Sequence, residues 1–198
     1  MKYIVTFFIL FNSLTSFADD YYKGTVVYLD GKARTGLIDG YLSDVISFKT
    51  SEKAQGEKIQ SSGLISVSLQ VKDELREFWY VKTYSGWGQK KISDPMWLRV
   101  IEKGTATLMV NNTTMRGSIS NTTTAGFSDY YCIRKGEPAA KWISAVSGAN
   151  NNQMFRAKAP LYFADYPELA EKIKSKEYKW KDLEIVVKEY NKWALSKK

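Results

Sequence analysis

The chain has 198 residues, a formal net charge of +8, a single cysteine and no histidine. Without imidazole, hydrolases built on Ser-His or Cys-His pairs, zinc sites built from histidine and the usual proton shuttle near pH 7 are excluded. One cysteine permits no intramolecular disulfide, so stability rests on packing, and lysines interleaved with acids rather than gathered in a stripe point to a basic soluble protein without a nucleic-acid partner.

The chain opens on MKYIVTFFILFNSLTSFA. Lys2 precedes an apolar run from Ile4 to Phe11, and Ser16 and Ala18 supply small residues at the third-last and last positions, the order of a secretory signal peptide cleaved after Ala18. The run is shorter than the roughly 20 apolar residues that cross a bilayer, and no later segment approaches that length, so no transmembrane segment is expected in the mature chain. The leader has no cysteine near its end, which argues against lipid attachment there.

YKGTVVYLDGKARTGLI then predicts two strands joined at Asp30-Gly31, a hairpin signal. DVISFKT sets Ile46 and Phe48 against Val45, Ser47 and Lys49, and LISVSLQV alternates Ile65, Val67, Leu69 and Val71 with Ser66, Ser68 and Gln70. This period of two predicts strands with one buried face. The polar SEKAQGEKIQSSG between them is expected to be a mobile loop. FWYVKTY carries apolar groups at both parities, which predicts a strand covered on both sides. LRVIEKGTATLMV, GFSDYYCIRKG and the shorter KWISAVSG supply further strands, and NNTTMRGSISNTTTA reads as a connection rich in turn residues. Lys23-Gly24-Thr25 recurs as Lys103-Gly104-Thr105, each followed by Gly-x-Ile at Gly36 and Gly117, a coincidence too small to establish a duplication.

Cys132 lies among β-type residues and is expected to be a buried, inert thiol; as a nucleophile it would need a base that this chain lacks. Acids such as Asp39, Asp44, Asp73, Glu74 and Glu77 are scattered without singling out a catalytic pair, and neither GxxxxGK[ST] nor GxGxxG occurs. No cofactor and no metal are expected.

The pattern changes in YFADYPELAEKIKSKEYKWKDLEIVVKEYNKW. Asp165, Pro167 and Glu168 predict a helix start in which the aspartate caps free N–H groups. Leu169, Ala170 and Ile173 give that short helix an apolar side. After a break at SKEYKWKD, Leu183, Val186, Val187, Tyr190, Trp193 and Ala194 follow helical spacing opposite Glu184, Lys188, Glu189 and Lys192. A polar face of mixed sign suits a helix that covers an open face of the β domain better than one that lies on a membrane.

With its Phe-x-Asp-x-Pro-Glu-Leu start and terminal Tyr-Asn, this tail resembles the C-terminal signature of a family of uncharacterised secreted proteins from Bacteroidetes-type bacteria. LRVIEKGTATL with YYCIRKG, and KGTVVYLDGKARTGLI, are similar to that family's strand pair and opening hairpin, while Tyr166 stands where a cysteine is common. The resemblance implies an exported location and a β-plus-helix layout, and no activity.

These readings predict an α+β, mainly β fold: an antiparallel β barrel or sandwich-like domain closed by a C-terminal helical segment. Residues 1–18 form the signal peptide, 19–160 a β-rich domain that could divide near 90–100, and 161–198 a helical cap packed on it. The function expected is that of a non-enzymatic secreted or periplasmic envelope module binding a glycan, peptide or protein; the alternative is a small carboxylate-dependent hydrolase of envelope polymers. The candidate ligand residues are Trp87, between Gly86 and Gly88, with Tyr84, Lys90 and Lys91. A tryptophan at a loop tip can stack on a sugar ring while lysines reach hydroxyls or carboxylates; the alternative is that Trp87 folds back to plug the end of the barrel.

Overall fold

The computed structural model describes residues 21–85, 88–113, 127–146 and 150–197. The expected leader, Trp87 and most of the NNTTMRGSISNTTTA connection lie outside the described residues. The strands are β1 (Tyr21–Tyr28), β2 (Ala33–Asp39), β3 (Val45–Lys49), β4 (Glu57–Gln60), β5 (Leu64–Val71), β6 (Glu74–Val81), β7 (Tyr84–Ser85), β8 (Lys91–Ile92), β9 (Met96–Glu102), β10 (Ala106–Thr113), β11 (Phe127–Arg134) and β12 (Lys141–Val146). The helices α1 (Asn151–Tyr162), α2 (Pro167–Lys174) and α3 (Leu183–Ser196) follow.

The fold is mainly antiparallel β with a C-terminal helical layer. Ten strands form one sheet in the order β12-β11-β10-β9-β6-β5-β1-β2-β3-β4, and β7 and β8 form a separate hairpin. The sheet has two ends, β12 and β4, so it is not the closed barrel that was one of the two expectations; a sandwich-like layering is compatible with it. Closure is blocked chemically at β12, whose outer edge is already engaged. Ala140 donates to Lys82 and accepts from Tyr84, and the Gln89 carboxamide accepts from the Trp142 N–H and donates to its carbonyl at 2.9 and 2.7 Å. An edge covered in this way does not invite another strand.

The first hairpin turns over Leu29–Lys32 as predicted, with Tyr28 and Lys32 closing it by backbone hydrogen bonds. Gly24 and Gly36 stand directly opposite each other in β1 and β2. A Cβ on Gly24 would lie 2.2 Å from the Ser68 carbonyl oxygen, and one on Gly36 2.4 Å from that of Lys49. Two adjacent positions without side chains let the backbones close in and the sheet coil. That half of the sheet wraps a first core of Val26, Ile38, Phe48, Val67, Leu69 and Phe78 with their neighbours. The segment expected to be a mobile loop contributes β4 and a 3-10 turn over Ser61–Gly63. Its one apolar strand residue, Ile59, pairs with Ile46 and is buried, while Glu57, Lys58 and Gln60 stay exposed. A single apolar residue in four carries no period, so the partner strand, not the local pattern, makes this segment a strand.

The helices cover β9 to β12 on the same sheet face, around a second core that joins Leu108, Cys132 and Ile143 to Phe155, Phe163 and Val186. α2 and α3 fall where periodicity predicts them. Helix α1 was not predicted, and the helical layer starts at Asn151 rather than at 161. Pro160 hid it, because an internal proline ordinarily ends a helix; here it sits in the last turn, buried with Phe155, Ala159 and Tyr162. Asp165 does not cap α2 as expected: Tyr166 is the N-cap residue and no side chain caps it. The Asp165 carboxylate accepts instead from Arg134 at 2.8 Å and from the Tyr190 hydroxyl at 2.7 Å. A third cluster on the opposite sheet face, centred on Leu98, Met109 and Tyr131 with Trp79 and Trp142 against it, gives β6 the two-sided cover its sequence predicts. Among the described residues no helix is long and apolar enough to cross a membrane.

Candidate functional site

The predicted ligand residues fall in and around the β7–β8 hairpin. Tyr84 is half-buried and pairs with Ile92; Lys91 is exposed and pairs with Ser85. Residues opposite each other share a face and neighbours alternate, so Tyr84 and Lys91 point to opposite faces of the hairpin. Lys90 is exposed, and Trp87 lies outside the described residues.

A different group emerges from the sheet register. Tyr130, Val110, Arg99 and Phe78 stand directly opposite one another across β11, β10, β9 and β6. Tyr130 packs against the helical core and Phe78 belongs to the first core. Arg99 therefore occupies the strip of sheet between the two cores, on the face that both share. Two residues along the same strands, Trp97 and Tyr80 also pair, with ring centroids 5.1 Å apart and planes tilted by 45°. Arg76, two residues from Phe78 in the other direction, completes the strip.

The two rings are held at their polar edges. Trp97 Nε1 donates to the Ser43 carbonyl at 2.9 Å and to Ser61 Oγ at 3.1 Å, and the Tyr80 hydroxyl donates to Asp44 at 3.0 Å. These bonds reach from β6 and β9 to the segments flanking β3 and β4, which the coiling of the sheet brings over. Each ring is thereby fixed before any ligand arrives, which lowers the ordering cost of binding.

Glu74, at the start of β6, bridges the two arginines. Arg76 Nε donates to its carboxylate at 2.8 Å, whereas Arg99 Nη1 stands 3.5 Å from its other oxygen. The Arg76, Arg99 and Glu74 side chains are 12%, 28% and 54% exposed, so the acid lies at the surface and the guanidinium groups lie beneath it. Burial lowers the Arg99 pKa, the Glu74 carboxylate opposes that shift and the Arg76 charge adds to it; a guanidinium nonetheless stays charged at neutral pH. Burial also raises the Tyr130 hydroxyl against the pull of Arg99. Burial followed by the bond to Asp44 raises that of Tyr80, so both phenols are neutral donors. Among the described residues Arg99 makes no other ion pair or hydrogen bond. A guanidinium carries five N–H donors, and a single contact at 3.5 Å leaves this one with donor capacity for an anion. Cys132 cannot lend the strip a nucleophile, since it is buried in the helical core, where desolvation pushes its thiol far up.

Sequence reasoning passed over Arg76 and Arg99 because the hairpin that interrupts β6 and β9 separates them along the chain. One local signal existed: Trp97 and Arg99 share a parity in MWLRVIE, which places a charge and a tryptophan side by side on one face of a strand. No protein-family model, no curated protein and no solved structure matches this chain.

Proposed function

We propose that this protein is exported, loses its leader after Ala18, and serves as a non-enzymatic envelope module that binds a glycan, peptide or protein, in keeping with the secreted family its tail resembles. The observation that carries the binding reading is Arg99: a half-buried guanidinium with spare donors, beside two rings anchored by their own hydrogen bonds, on a strip left between two cores. Charge-assisted donors are the strong partners of anionic ligands, and fixed aromatic faces supply apolar contact without reorganisation. A chain with no histidine suits holding better than turnover.

The test is a panel of envelope glycans and peptides offered to the mature protein and to Arg99→Ala. Retention by the native protein, lost in the variant at an unchanged melting temperature, supports the reading. Equal retention by both moves the site elsewhere, and release of cleaved product refutes a non-enzymatic role. Cell fractionation with N-terminal sequencing starting at Asp19 checks export.

A further inference from the structure

We infer that the ligand of this strip is a saccharide bearing a carboxylate, a uronate-type sugar, and that Glu74 is an internal carboxylate which the ligand displaces; this inference rests on the binding role just proposed. The structure already shows which anion the arginines accept. The Glu74 carboxylate lies across Arg76 and Arg99, with a short bond to the first and only a loose approach to the second. A planar carboxylate matches the planar guanidinium fork, so a ligand carboxylate that engages Arg99 closely gains a bond that Glu74 leaves weak. At 54% exposed, Glu74 is free to swing into water when displaced.

The surroundings favour a carboxylate over a phosphate. A guanidinium fork accepts phosphate as well as carboxylate, but phosphate sites commonly add backbone N–H groups at helix N-termini or in nests. Here the floor lies in the middle of a sheet, where Arg99 and its neighbours on β9 pair with β6 on one side and β10 on the other. Side chains alone are offered, and two of them are guanidinium groups. A saccharide is favoured by the aromatic pair. Trp97 stands two residues from Arg99 on the same strand and face, about 6.8 Å along the sheet. The Arg99 side chain itself reaches the other way, to Glu74, so the span from the rings to the guanidinium is longer and suits linked pyranoses, one resting on the Trp97–Tyr80 pair and the carboxylate of a neighbouring residue at Arg99. The Tyr130 hydroxyl, protonated at neutral pH, stands across Val110 from Arg99 and supplies a donor on the far side.

The experiment titrates the mature protein with trigalacturonate, its methyl ester and inorganic phosphate, using calorimetry and tryptophan fluorescence, and repeats the titration on Arg99→Lys and Glu74→Gln. The acid should bind about ten-fold more tightly than the ester, the equivalent of one charge-assisted hydrogen bond. Arg99→Lys, which keeps the charge but loses the fork, should weaken the acid and leave the ester unchanged. Glu74→Gln should tighten the acid several-fold, since the internal competitor loses its charge. Equal affinity for acid and ester overturns the inference while leaving a glycan-binding role standing. Phosphate displacing the acid at lower concentration overturns the choice of carboxylate. An acid affinity unmoved by Glu74→Gln overturns the displacement role. Absence of any uronate binding, with retention on the wider ligand panel intact, overturns this inference and not the proposed function.

Discussion

Asn191 performs a strand's work from a helix. Its Oδ1 accepts from the Ala106 N–H at 2.8 Å and its Nδ2 donates to the Ala106 carbonyl at 3.0 Å, both buried. Ala106 is the first residue of β10, beside the turn from β9, where the ladder to β9 has not yet begun. The carboxamide replaces the missing strand, and Gly104 makes room for it: a Cβ there would lie 2.2 Å from Nδ2. Asn191→Ala leaves a buried N–H and a buried C=O without partners, which should cost about 2 to 4 kcal/mol and be read as a lowered denaturation midpoint. Gly104→Ala should have the same sign by pushing Asn191 away. Cys132 makes the opposite point. It is fully buried against the helices and desolvation drives its thiol far above the usual range, so native protein should resist thiol reagents near neutral pH and Cys132→Ala should leave ligand binding unchanged. Rapid alkylation of the folded protein would contradict that.

At the scale of elements, the tail closes the sheet. Leu169, Ile173, Leu183, Val186, Val187 and Tyr190 are buried together against β10 to β12, each large side chain contributing about 1.5 to 3 kcal/mol, against a typical total of about 5 to 15. The tail is also tied by charge. The Arg134 guanidinium lies over the rings of Tyr162 and Tyr190 at 4.5 and 4.8 Å and donates to the Tyr162 carbonyl and to Asp165. Trp193 is half-buried and stacks on Tyr166 with centroids 4.6 Å apart. Deletion of residues 164–198 strips this cover and should unfold or aggregate the remainder; a truncated protein that stays monomeric with an unchanged melting temperature would refute the closure. Glu189 joins α3 to the segment before it by accepting from Lys172 and from the Tyr178 hydroxyl. Burial pushes its carboxyl up, but Tyr178 and Lys172, with a smaller contribution from Tyr166, outweigh burial and hold it below the ordinary 4.5. A carboxyl depressed in the folded state adds stability that is complete above the unfolded pKa and is lost as pH falls through the folded one. Stability should therefore decline as pH drops below about 4.5, and Glu189→Gln should flatten part of that decline in a pH series of melting temperatures.

The whole molecule is one sheet serving two cores. The first core draws on β1 to β6 and the second on β9 to β12 and the helices, yet β6 and β9 are paired neighbours. The third cluster on the opposite face runs from Trp79 in β6 to Trp142 in β12 and crosses the same seam. Two cores that share a ladder and a common backing should melt together, so urea unfolding followed by tryptophan fluorescence and by far-ultraviolet circular dichroism should give coincident single transitions. Separate transitions would show that the halves fold alone. The strip carrying Arg99 lies at this seam, so a ligand that bridges it should raise the melting temperature as its concentration increases.

Much of this architecture is a local property of the chain. Alternation in DVISFKT and in LISVSLQV from Val67 onward, the Asp30-Gly31 turn, the two-sided apolar pattern of FWYV and the helical spacing from Leu183 to Ala194 all appear in the elements observed; Ile65, expected on the buried face, is exposed and Ser66 buried, because the register against β1 slips at Val27 and Tyr28 and skips Ile65. The absence of histidine and the burial expected of Cys132 could also be read there. Period and turn chemistry act over a few residues and need no partner to be legible. The open sheet, the strand status of β4, the helix around Pro160, the redirection of Asp165 from a cap to Arg134 and Tyr190, and the meeting of Arg76, Arg99, Trp97 and Tyr80 were decided only by tertiary structure. Each depends on which distant segment lies alongside, a matter of strand register and burial that no local pattern encodes.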